Sequence, residues 1–257
     1  MFSAAKAHTI AKLAAAKVNS SPFPHIFVDG IFPTDFYAEM QARKLPDASY
    51  DRLVDTGRVG RGYSSARLCY MPSEEGTSAK SGNEAFWQEF FATYNDGELL
   101  QAFAGVFRDY MLQIEQAARA ANGFDAASPL AVHTEIFLMR DKEGYELKPH
   151  TDAASKLISA LFYLPSDLSA IHLGTSLYIP KDKTLVAKGG TRVSRDQFDI
   201  AGTMPFRPNT LLAFPNLPGT FHGVENMMSD QTRDVLLYDI KVHKEHAETD
   251  IAIDVAY

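Results

Sequence analysis

The sequence has little cysteine, no long apolar run and fewer basic than acidic residues. Its one cysteine, Cys69, cannot form an internal disulfide, which excludes a disulfide scaffold and predicts a reducing compartment such as the cytoplasm. No apolar run approaches the roughly 18 residues of a membrane helix. With 25 Lys and Arg against 32 Asp and Glu, the net charge of −7 argues against a general nucleic-acid binder. We therefore expect neither a membrane nor a nucleic acid as a partner.

The composition is otherwise typical of an ordinary globular protein, with 257 residues of which 46% are hydrophobic and 22% charged. A chain of this length can bury a large core, and we interpret residues 1–257 as one domain. Its first 28 residues contain three lysines but neither an acid nor an arginine. An amphipathic first helix and an organelle transit peptide both fit this stretch, and the absence of arginine favours the helix.

The first half of the chain carries the helical patterns. Capping residues, prolines and apolar spacing predict four helices, over residues 4–18, 34–45, 84–94 and 98–121. An extended edge strand is predicted at 22–32, where prolines stand among β-branched residues. Residues 47–82 are polar and rich in glycine and serine, and they carry no assignable pattern.

From residue 130 the chain consists of short β-type runs separated by turns. Eight strands are predicted, at 132–139, 147–151, 157–164, 176–179, 184–187, 210–214, 220–225 and 235–242. Many short strands with Gly and Pro between them are typical of a sandwich or barrel, not of βαβ units. The predicted fold class is mainly β with N-terminal helices (α+β). We expect residues 1–129 to form a helical support region packed on one sheet, and residues 130–245 to form the β core.

Three metal-capable side chains are spaced so that the fold can bring them together. His150 and Asp152 lie two residues apart at the end of a predicted strand, so their side chains leave from the same side. His222 lies in another predicted strand, and antiparallel sheets routinely pair strands that are distant in sequence. Two imidazoles and one carboxylate on one face of an octahedral ion leave three positions open, as in non-haem Fe(II) oxygenases.

Arg233 precedes an apolar strand, so its guanidinium could enter the interior of the sandwich. A buried arginine needs a carboxylate, which its planar fork matches with two hydrogen bonds. The pattern suggests no acidic partner except the adjacent Asp234, so a carboxylate of a ligand is plausible. A dicarboxylate that chelates a metal at one end and meets Arg233 at the other would use both features.

Five segments together share the features of one enzyme family. They are Pro22-Phe23-Pro24-His25-Ile26-Phe27-Val28-Asp29, His150-Thr151-Asp152, Ser159-Ala160-Leu161-Phe162-Tyr163-Leu164-Pro165, His222-Gly223-Val224 and Thr232-Arg233. In these segments the sequence resembles the Fe(II)/2-oxoglutarate-dependent dioxygenases, particularly the prolyl-hydroxylase-like branch. The resemblance spans nearly the whole chain and implies a double-stranded β-helix, the jelly-roll or cupin-like fold. It also implies Fe(II) as the metal and 2-oxoglutarate and O2 as co-substrates.

Residue by residue, the resemblance implies that His150, Asp152 and His222 bind the iron. It implies that Arg233 binds the distal carboxylate of 2-oxoglutarate. Halogenases of the superfamily replace the ligand carboxylate by a small residue to admit halide, so the presence of Asp152 argues against halogenation.

Further site residues follow from position. Tyr163 falls where a tyrosine of the prolyl hydroxylases reaches the same distal carboxylate, and Ser159 where a threonine lines that pocket. Arg140 stands where those hydroxylases have another co-substrate tyrosine, and we expect it to contact the primary substrate instead. Arg67, Tyr63 and Trp87 are further expected substrate contacts. The basic segment 181–196 fits either a solvated loop or a lid over the iron.

The function implied is hydroxylation of an unactivated carbon in a small metabolite such as an amino acid. Desaturation or ring formation would use the same oxidant. A peptidyl-prolyl hydroxylase is one alternative, although the sequence shows no added peptide-binding module. The other is a jelly-roll protein that binds a metal or a ligand without catalysis, and the four residues His150, Asp152, His222 and Arg233 argue against it. The sequence carries no signal for an oligomeric state.

Overall fold

The computed structural model describes residues 1–71, 81–125, 129–185, 192–228 and 230–243. In these ranges the chain forms the helices α1 Phe2–Ala14, α2 Thr34–Ala42, α3 Gly82–Tyr94, α4 Gly97–Val106 and α5 Met111–Asn122. Side-chain caps fix two helix starts, because Ser81 accepts the Glu84 amide at 3.2 Å and Asp96 accepts the Leu99 amide at 3.4 Å. Helix α5 ends at Gly123, whose φ of 72° is the left-handed conformation that glycine adopts without strain.

The helix predicted over 98–121 is two helices, which corrects the sequence interpretation. A 3-10 turn at Arg108–Tyr110 separates α4 from α5. Gly105 and the β-branched Val106 stand at the end of α4, and both residue types form helices less readily than alanine. None of the helices in the described ranges is both long and apolar enough to cross a membrane.

The strands form two antiparallel sheets. The strands are β1 Ile26–Asp29, β2 Asp51–Arg52, β3 Arg67–Tyr70, β4 Val132–Asp141, β5 Leu147–His150, β6 Lys156–Tyr163, β7 Thr175–Pro180, β8 Phe198–Met204, β9 Thr210–Pro215, β10 His222–Val224 and β11 Arg233–Val242. The larger sheet has the order β1-β9-β6-β11-β4-β3-β2, and the smaller has the order β5-β10-β7-β8.

The strand assignments from sequence agree with seven of these elements after residue 130 and differ at two places. Strand β8 was not predicted, because its side chains are mostly exposed and lack the alternation that marks a half-buried strand. A strand was predicted at 184–187, but Thr184 lies in a turn and residues 186–187 lie outside the described ranges. Strands β1, β2 and β3 precede residue 130 and extend the larger sheet at its two edges, so residues 1–129 supply strands as well as helices.

The larger sheet separates two apolar clusters. On its outer face, side chains such as Leu138, Phe162 and Leu236 join helical residues, including Phe90 and Phe103, in one buried cluster. On its inner face, the alternate side chains of the same strands, among them Met139, Tyr163 and Val235, join Leu177 and Val224 of the smaller sheet. Because successive strand residues point to opposite faces, the strands β4, β6, β9 and β11 each contribute to both clusters.

Candidate functional site

A cavity of about 450 Å³ lies at the inner face of the larger sheet, and residues of both sheets line it. We call it the inner cavity. Its lining includes the sequence-predicted residues Tyr63, Arg67, His150, Asp152, Ser159, His222 and Arg233. A larger depression of about 640 Å³ lies elsewhere, beside Pro22, Gln113 and Leu217, and none of the sequence-predicted site residues lines it. We therefore take the inner cavity as the candidate site because of the side chains that line it, although its volume is the smaller of the two.

The sheet brings the three metal-capable side chains together. His150 ends β5 and His222 begins β10, and these two residues are direct partners in the antiparallel ladder. Their ring centroids are 4.4 Å apart as a result. Asp152 follows two residues after His150, and one ligand atom of each of the three side chains lies within 4.8 Å of the others. Within the described ranges this is the one group of three or more such side chains.

Backbone carbonyls orient both imidazoles. The Nδ1 atom of His150 lies 3.0 Å from the Lys148 carbonyl, and that of His222 lies 3.1 Å from the Thr220 carbonyl. A carbonyl oxygen only accepts, so each Nδ1 carries the proton and each Nε2 keeps its lone pair. Both Nε2 atoms face Asp152, at 3.9 Å from one of its carboxylate oxygens. Metal-ligating histidines are usually held in this way, with the second ring nitrogen donating to a carbonyl or carboxylate.

The carboxylate of Asp152 is held from two sides. Ser159 donates a hydrogen bond to its Oδ2 at 2.6 Å, and the ammonium of Lys156 lies 3.4 Å from its Oδ1. Lys156 also pairs with Asp239 at 2.8 Å, so one buried cation links the two acids. Neither Lys156 nor Asp239 was singled out from the sequence. Alternation along β11 predicts the inner face for Asp239, but alternation along β6 predicts the outer face for Lys156, which follows the phase of Ile158. A register shift next to Lys156 places its side chain at the inner cavity instead.

The protonation states favour metal binding. Burial, followed by repulsion from His222, lowers the pKa of His150 to about 3, and burial also lowers the pKa of His222. Burial acts to raise the pKa of Asp152, but Lys156 and the two imidazoles outweigh it and hold that pKa well below its usual value. Two neutral imidazoles and one carboxylate anion are therefore present at neutral pH, which is the form in which these groups bind metals.

The glycine after His222 permits the close approach of β5 and β10, the strands that carry the two histidines. A Cβ atom added to Gly223 would lie 2.3 Å from the Leu147 carbonyl oxygen, well inside van der Waals contact. Any side chain at this position would push β10 away from β5, and the two histidines would separate.

Arg233 is fully buried, and its partners differ from the one suggested by sequence. Its Nε donates to the Leu173 carbonyl at 2.8 Å, and its two Nη atoms donate to Asp141 and to Thr175, each at 2.9 Å. The adjacent Asp234 instead points to the outer face. Asp141 is directly opposite Arg233 in the β4–β11 ladder, a pairing that only the strand register reveals.

Asp141 serves two guanidinium groups. Arg67, its partner in the β3–β4 ladder, makes a bidentate contact with it at 2.6 and 2.9 Å. The row Arg67–Asp141–Arg233 thus has one positive charge in excess, and both arginines line the inner cavity. A buried excess charge is costly unless it is paired, so this end of the cavity is suited to an anion.

Tyr163 reaches this end of the cavity only through Thr175. Its hydroxyl donates to the Thr175 Oγ1 at 2.7 Å, and Thr175, which was not singled out from sequence, lines the cavity beside Arg233. Tyr163 itself does not line the cavity, and burial raises its pKa. Ser159, predicted from sequence to line the co-substrate pocket, lines the inner cavity, and its hydroxyl donates to Asp152.

Two predicted substrate contacts, Arg140 and Trp87, do not line the inner cavity, which corrects their assignment. Arg140 is adjacent in sequence to the inward-facing Asp141, so strand alternation sends it to the outer face. There it pairs with Asp234 at 2.7 Å and bonds the Leu45 carbonyl at 3.0 Å. Trp87 lies in the buried cluster between the helices, where its Nε1 donates to the Arg43 carbonyl at 2.8 Å.

The other two predicted contacts, Arg67 and Tyr63, do line the cavity. The Tyr63 hydroxyl lies 3.2 Å from that of Tyr145, and the guanidinium of Arg192 lies over the Tyr63 ring, 4.6 Å from its centroid. Arg192 belongs to the segment 181–196 that was considered as a lid, and it lines the cavity. Residues 186–191 of that segment lie outside the described ranges.

No protein-family model and no curated protein matches the chain. Similar solved structures include a prolyl-4-hydroxylase from Pseudomonas putida, with 13% identity over 94% of this chain and 99% of that chain and a TM-score of 0.48. A 2OG-Fe(II) oxygenase family oxidoreductase from Burkholderia pseudomallei has 12% identity over 90% and 89% of the two chains and a TM-score of 0.47. A prolyl hydroxylase from Trichoplax adhaerens, solved with a hypoxia inducible factor peptide, has 10% identity over 93% and 90% and a TM-score of 0.47.

Proposed function

We propose that this chain is an Fe(II)- and 2-oxoglutarate-dependent oxygenase that hydroxylates an unactivated carbon of a small metabolite. One observation carries the proposal. His150, Asp152 and His222 offer two oriented Nε2 atoms and one carboxylate within 4.8 Å, in the same cavity as the excess positive charge of Arg233 and Arg67. A metal at the first group and a carboxylate at the second are what a chelating dicarboxylate co-substrate requires.

The proposal includes the fold and the domain arrangement. Two antiparallel sheets of seven and four strands share an apolar cluster on their facing sides, which fits a double-stranded β-helix with the active site between the sheets. Residues 1–257 would then form one oxygenase domain, in which the helices of residues 1–129 support the larger sheet from its outer face.

The donor set fits Fe(II), because two imidazoles and a carboxylate on one face leave three positions for the co-substrates. When bound, iron, 2-oxoglutarate and O2 supply the oxidant for an unactivated C–H bond, with release of succinate and CO2. His150, Asp152 and His222 would hold the iron, and Arg233 with Thr175 would hold the distal carboxylate of 2-oxoglutarate. Arg67 would hold Asp141 in place for Arg233. Both Arg67 and Tyr63 would also face the bound molecules.

The remaining groups around the site orient these ligands and exclude water. Ser159 and Lys156 fix the two oxygens of Asp152, and Asp141 fixes the plane of the Arg233 guanidinium. The apolar side chains Phe137, Met139, Leu161, Phe214 and Leu237 form much of the cavity wall. A dry, pre-oriented site keeps co-substrate and target carbon in register and protects the oxidant from side reactions.

Anaerobic titration tests the proposal directly. Protein loaded with Fe(II) should develop the weak visible charge-transfer band of chelated 2-oxoglutarate, and addition of O2 with a suitable metabolite should release succinate. A metal-loaded protein that shows no band would exclude this mechanism. A protein that shows the band and binds metabolites but never forms succinate would instead be the non-catalytic jelly-roll binder.

A further inference from the structure

One buried oxygen in the inner cavity has no partner. Asp239 lines the cavity and is only 1% exposed. Its Oδ2 pairs with Lys156 at 2.8 Å, but its Oδ1 has no hydrogen-bond partner within the described part of the chain. A buried carboxylate oxygen without a donor loses its hydration and gains no hydrogen bond in return, which destabilises the folded protein. Oδ1 itself is enclosed, but Asp239 lines the cavity, so a rotation of its carboxylate would turn Oδ1 towards a donor on a molecule bound there.

The strand register places Asp239 at the metal-binding end of the cavity. Asp239 is the direct partner of Ser159 in the β6–β11 ladder, and Ser159 is hydrogen-bonded to the metal-site residue Asp152. Arg233, where the distal carboxylate of 2-oxoglutarate is proposed to bind, starts β11, and the inward-facing Val235 and Leu237 separate it from Asp239. The unpaired oxygen thus lies beside the metal site and away from the co-substrate anchor.

The other acids on the inner face already have cationic partners. Glu135 pairs with Arg58 and with Lys241, and Asp141 pairs with Arg67 and Arg233. Asp239 differs because Lys156, its partner, is shared with Asp152 and satisfies only one of its two oxygens. A donor of positive charge is the complement of this half-paired carboxylate, since charge-assisted hydrogen bonds are the stronger kind.

We propose that Asp239 binds the amino group of the primary substrate and thereby selects a free amino acid. This inference rests on the proposed oxygenase function and deepens it. The ammonium would donate to Asp239 Oδ1 and hold the substrate beside the iron ligands, with its side chain directed along the apolar wall formed by Phe137, Leu161 and Leu237. Asp239 is in this sense a specificity-determining residue that touches the substrate.

The test uses full-length Fe(II)-loaded protein and three sets of probes: free L-amino acids, their N-acetyl derivatives and their α-hydroxy analogues. Succinate release and the shift of the charge-transfer band on addition of each probe are measured. We expect free amino acids to stimulate succinate release with a KM at least about 10-fold lower than the KM of the N-acetyl derivatives or of the α-hydroxy analogues. This is the range expected for a hydrogen bond to a charged group.

The variant Asp239→Asn sharpens the test. Its amide oxygen can still accept from Lys156, while its NH2 group replaces the unpaired acceptor by a donor. We expect the KM for the amino acid to rise about 10-fold or more, with the KM for 2-oxoglutarate and the charge-transfer band unchanged. The matched control is Asp234→Asn, which removes a charge from the outer face of the same strand and should leave the KM for the amino acid unchanged.

Four results would overturn this inference. With the unmodified chain, these are succinate release stimulated equally or better by the N-acetyl or α-hydroxy probes, and no stimulation or band shift by any amino acid. With Asp239→Asn, they are an unchanged KM for the amino acid and loss of the charge-transfer band. The last would show that Asp239 supports the metal site only. If Asp239→Asn does not fold, the comparison of probes on the unmodified chain decides. Absence of the band in the unmodified chain would contradict the oxygenase function itself.

Discussion

Two ion pairs lie back to back on the larger sheet, one on each face, and their surroundings differ. Strand β4 carries Arg140 and Asp141, and strand β11 carries Arg233 and Asp234 in antiparallel register. Alternation therefore places the pair Arg140–Asp234 on the outer face and the pair Arg233–Asp141 on the inner face.

The charged groups around each pair decide what it can do. On the outer face three cations meet two acids, and two of these cations, Lys44 and Lys142, are 31% and 38% exposed to solvent. On the inner face Arg67 joins Asp141, so two buried cations meet one buried acid at the wall of a cavity. Both faces thus have one positive charge in excess, but the lysines of the outer face are hydrated, whereas the guanidinium groups of the inner face are not. The same two residue types are therefore structural on one face and suited to bind an anion on the other.

The largest effect is expected from the proposed metal site at the inner face. Asp152→Ala removes the anionic member of the proposed ligand set and leaves Lys156 beside the two imidazoles. We expect iron affinity and succinate release to fall by more than about 100-fold. Loss of a residue that only hydrogen-bonds to a metal ligand typically lowers metal affinity by about 10- to 100-fold, and loss of the ligand itself should lower it further. Calorimetric titration with Fe(II) under anaerobic conditions measures this. Iron binding within a few-fold of the parent protein would remove Asp152 from the ligand set.

The two arginines provide the next test of the comparison. Arg233→Ala should raise the KM for 2-oxoglutarate on the order of 100-fold, because the proposed charge-assisted contact with the distal carboxylate is lost from a buried site. Asp141 keeps its bidentate partner Arg67 in this variant. Arg140→Ala should leave the KM for 2-oxoglutarate unchanged but lower the free energy of unfolding by about 3 kcal/mol, because it leaves Asp234 buried without its main partner.

Steady-state kinetics and urea denaturation of both arginine variants check this pair of predictions. A change of co-substrate KM in Arg140→Ala, or none in Arg233→Ala, would mean that the two faces do not divide binding from stability as described.

The same comparison shows what the sequence could and could not predict. His150, Asp152, His222 and Arg233 were singled out from residue chemistry and a family resemblance, and the structure places all four around one cavity. Arg140 was expected to contact the substrate but lies on the outer face, because a one-residue difference in strand phase exchanges the inner and outer sides.

The partners of these residues could not be predicted. Asp141 stands far from Arg233 in the sequence, and only the ladder between β4 and β11 brings them together. Lys156 and Asp239 lie on the paired strands β6 and β11 but are not ladder partners, and their contact depends on the register shift next to Lys156. Local patterns predict which residues alternate on a strand, but pairing between strands is a property of the whole fold.

A smaller effect is expected at the support of the metal site. Ser159→Ala removes the hydrogen bond to Asp152 Oδ2 while leaving Lys156 in place on Oδ1. We expect iron affinity to fall by about 10-fold, the low end for loss of a group that orients a metal ligand. The KM for 2-oxoglutarate, measured at saturating iron, should stay unchanged. If that KM rises while iron affinity is unchanged, Ser159 contacts 2-oxoglutarate, as predicted from the sequence, and does not support the iron site.

The last effect concerns the pH dependence of stability and again separates the two faces. Burial, together with repulsion from His222, lowers the pKa of His150 to about 3, whereas the unfolded chain should protonate it near pH 6.5. As the pH falls from about 6.5 towards 3, the unfolded state takes up a proton that the folded metal-free state refuses, so stability is lost on acidification. For each such histidine the slope reaches at most about 1.4 kcal/mol per pH unit.

The acid Asp47 on the outer face is protonated at a lower pH. The Lys142 ammonium and the Arg140 guanidinium hold the pKa of Asp47 below its usual value of 3.8, so its contribution to stability is lost only below about pH 4. Urea denaturation of chelator-treated protein at several pH values between 7 and 5 should therefore show a shallower loss of stability in His150→Asn than in the parent protein. His133, whose pKa is also lowered by burial, is present in both and cancels. Parallel curves would mean that the metal-free His150 is not held neutral, and the inner face would then not be poised to bind iron before the metal arrives.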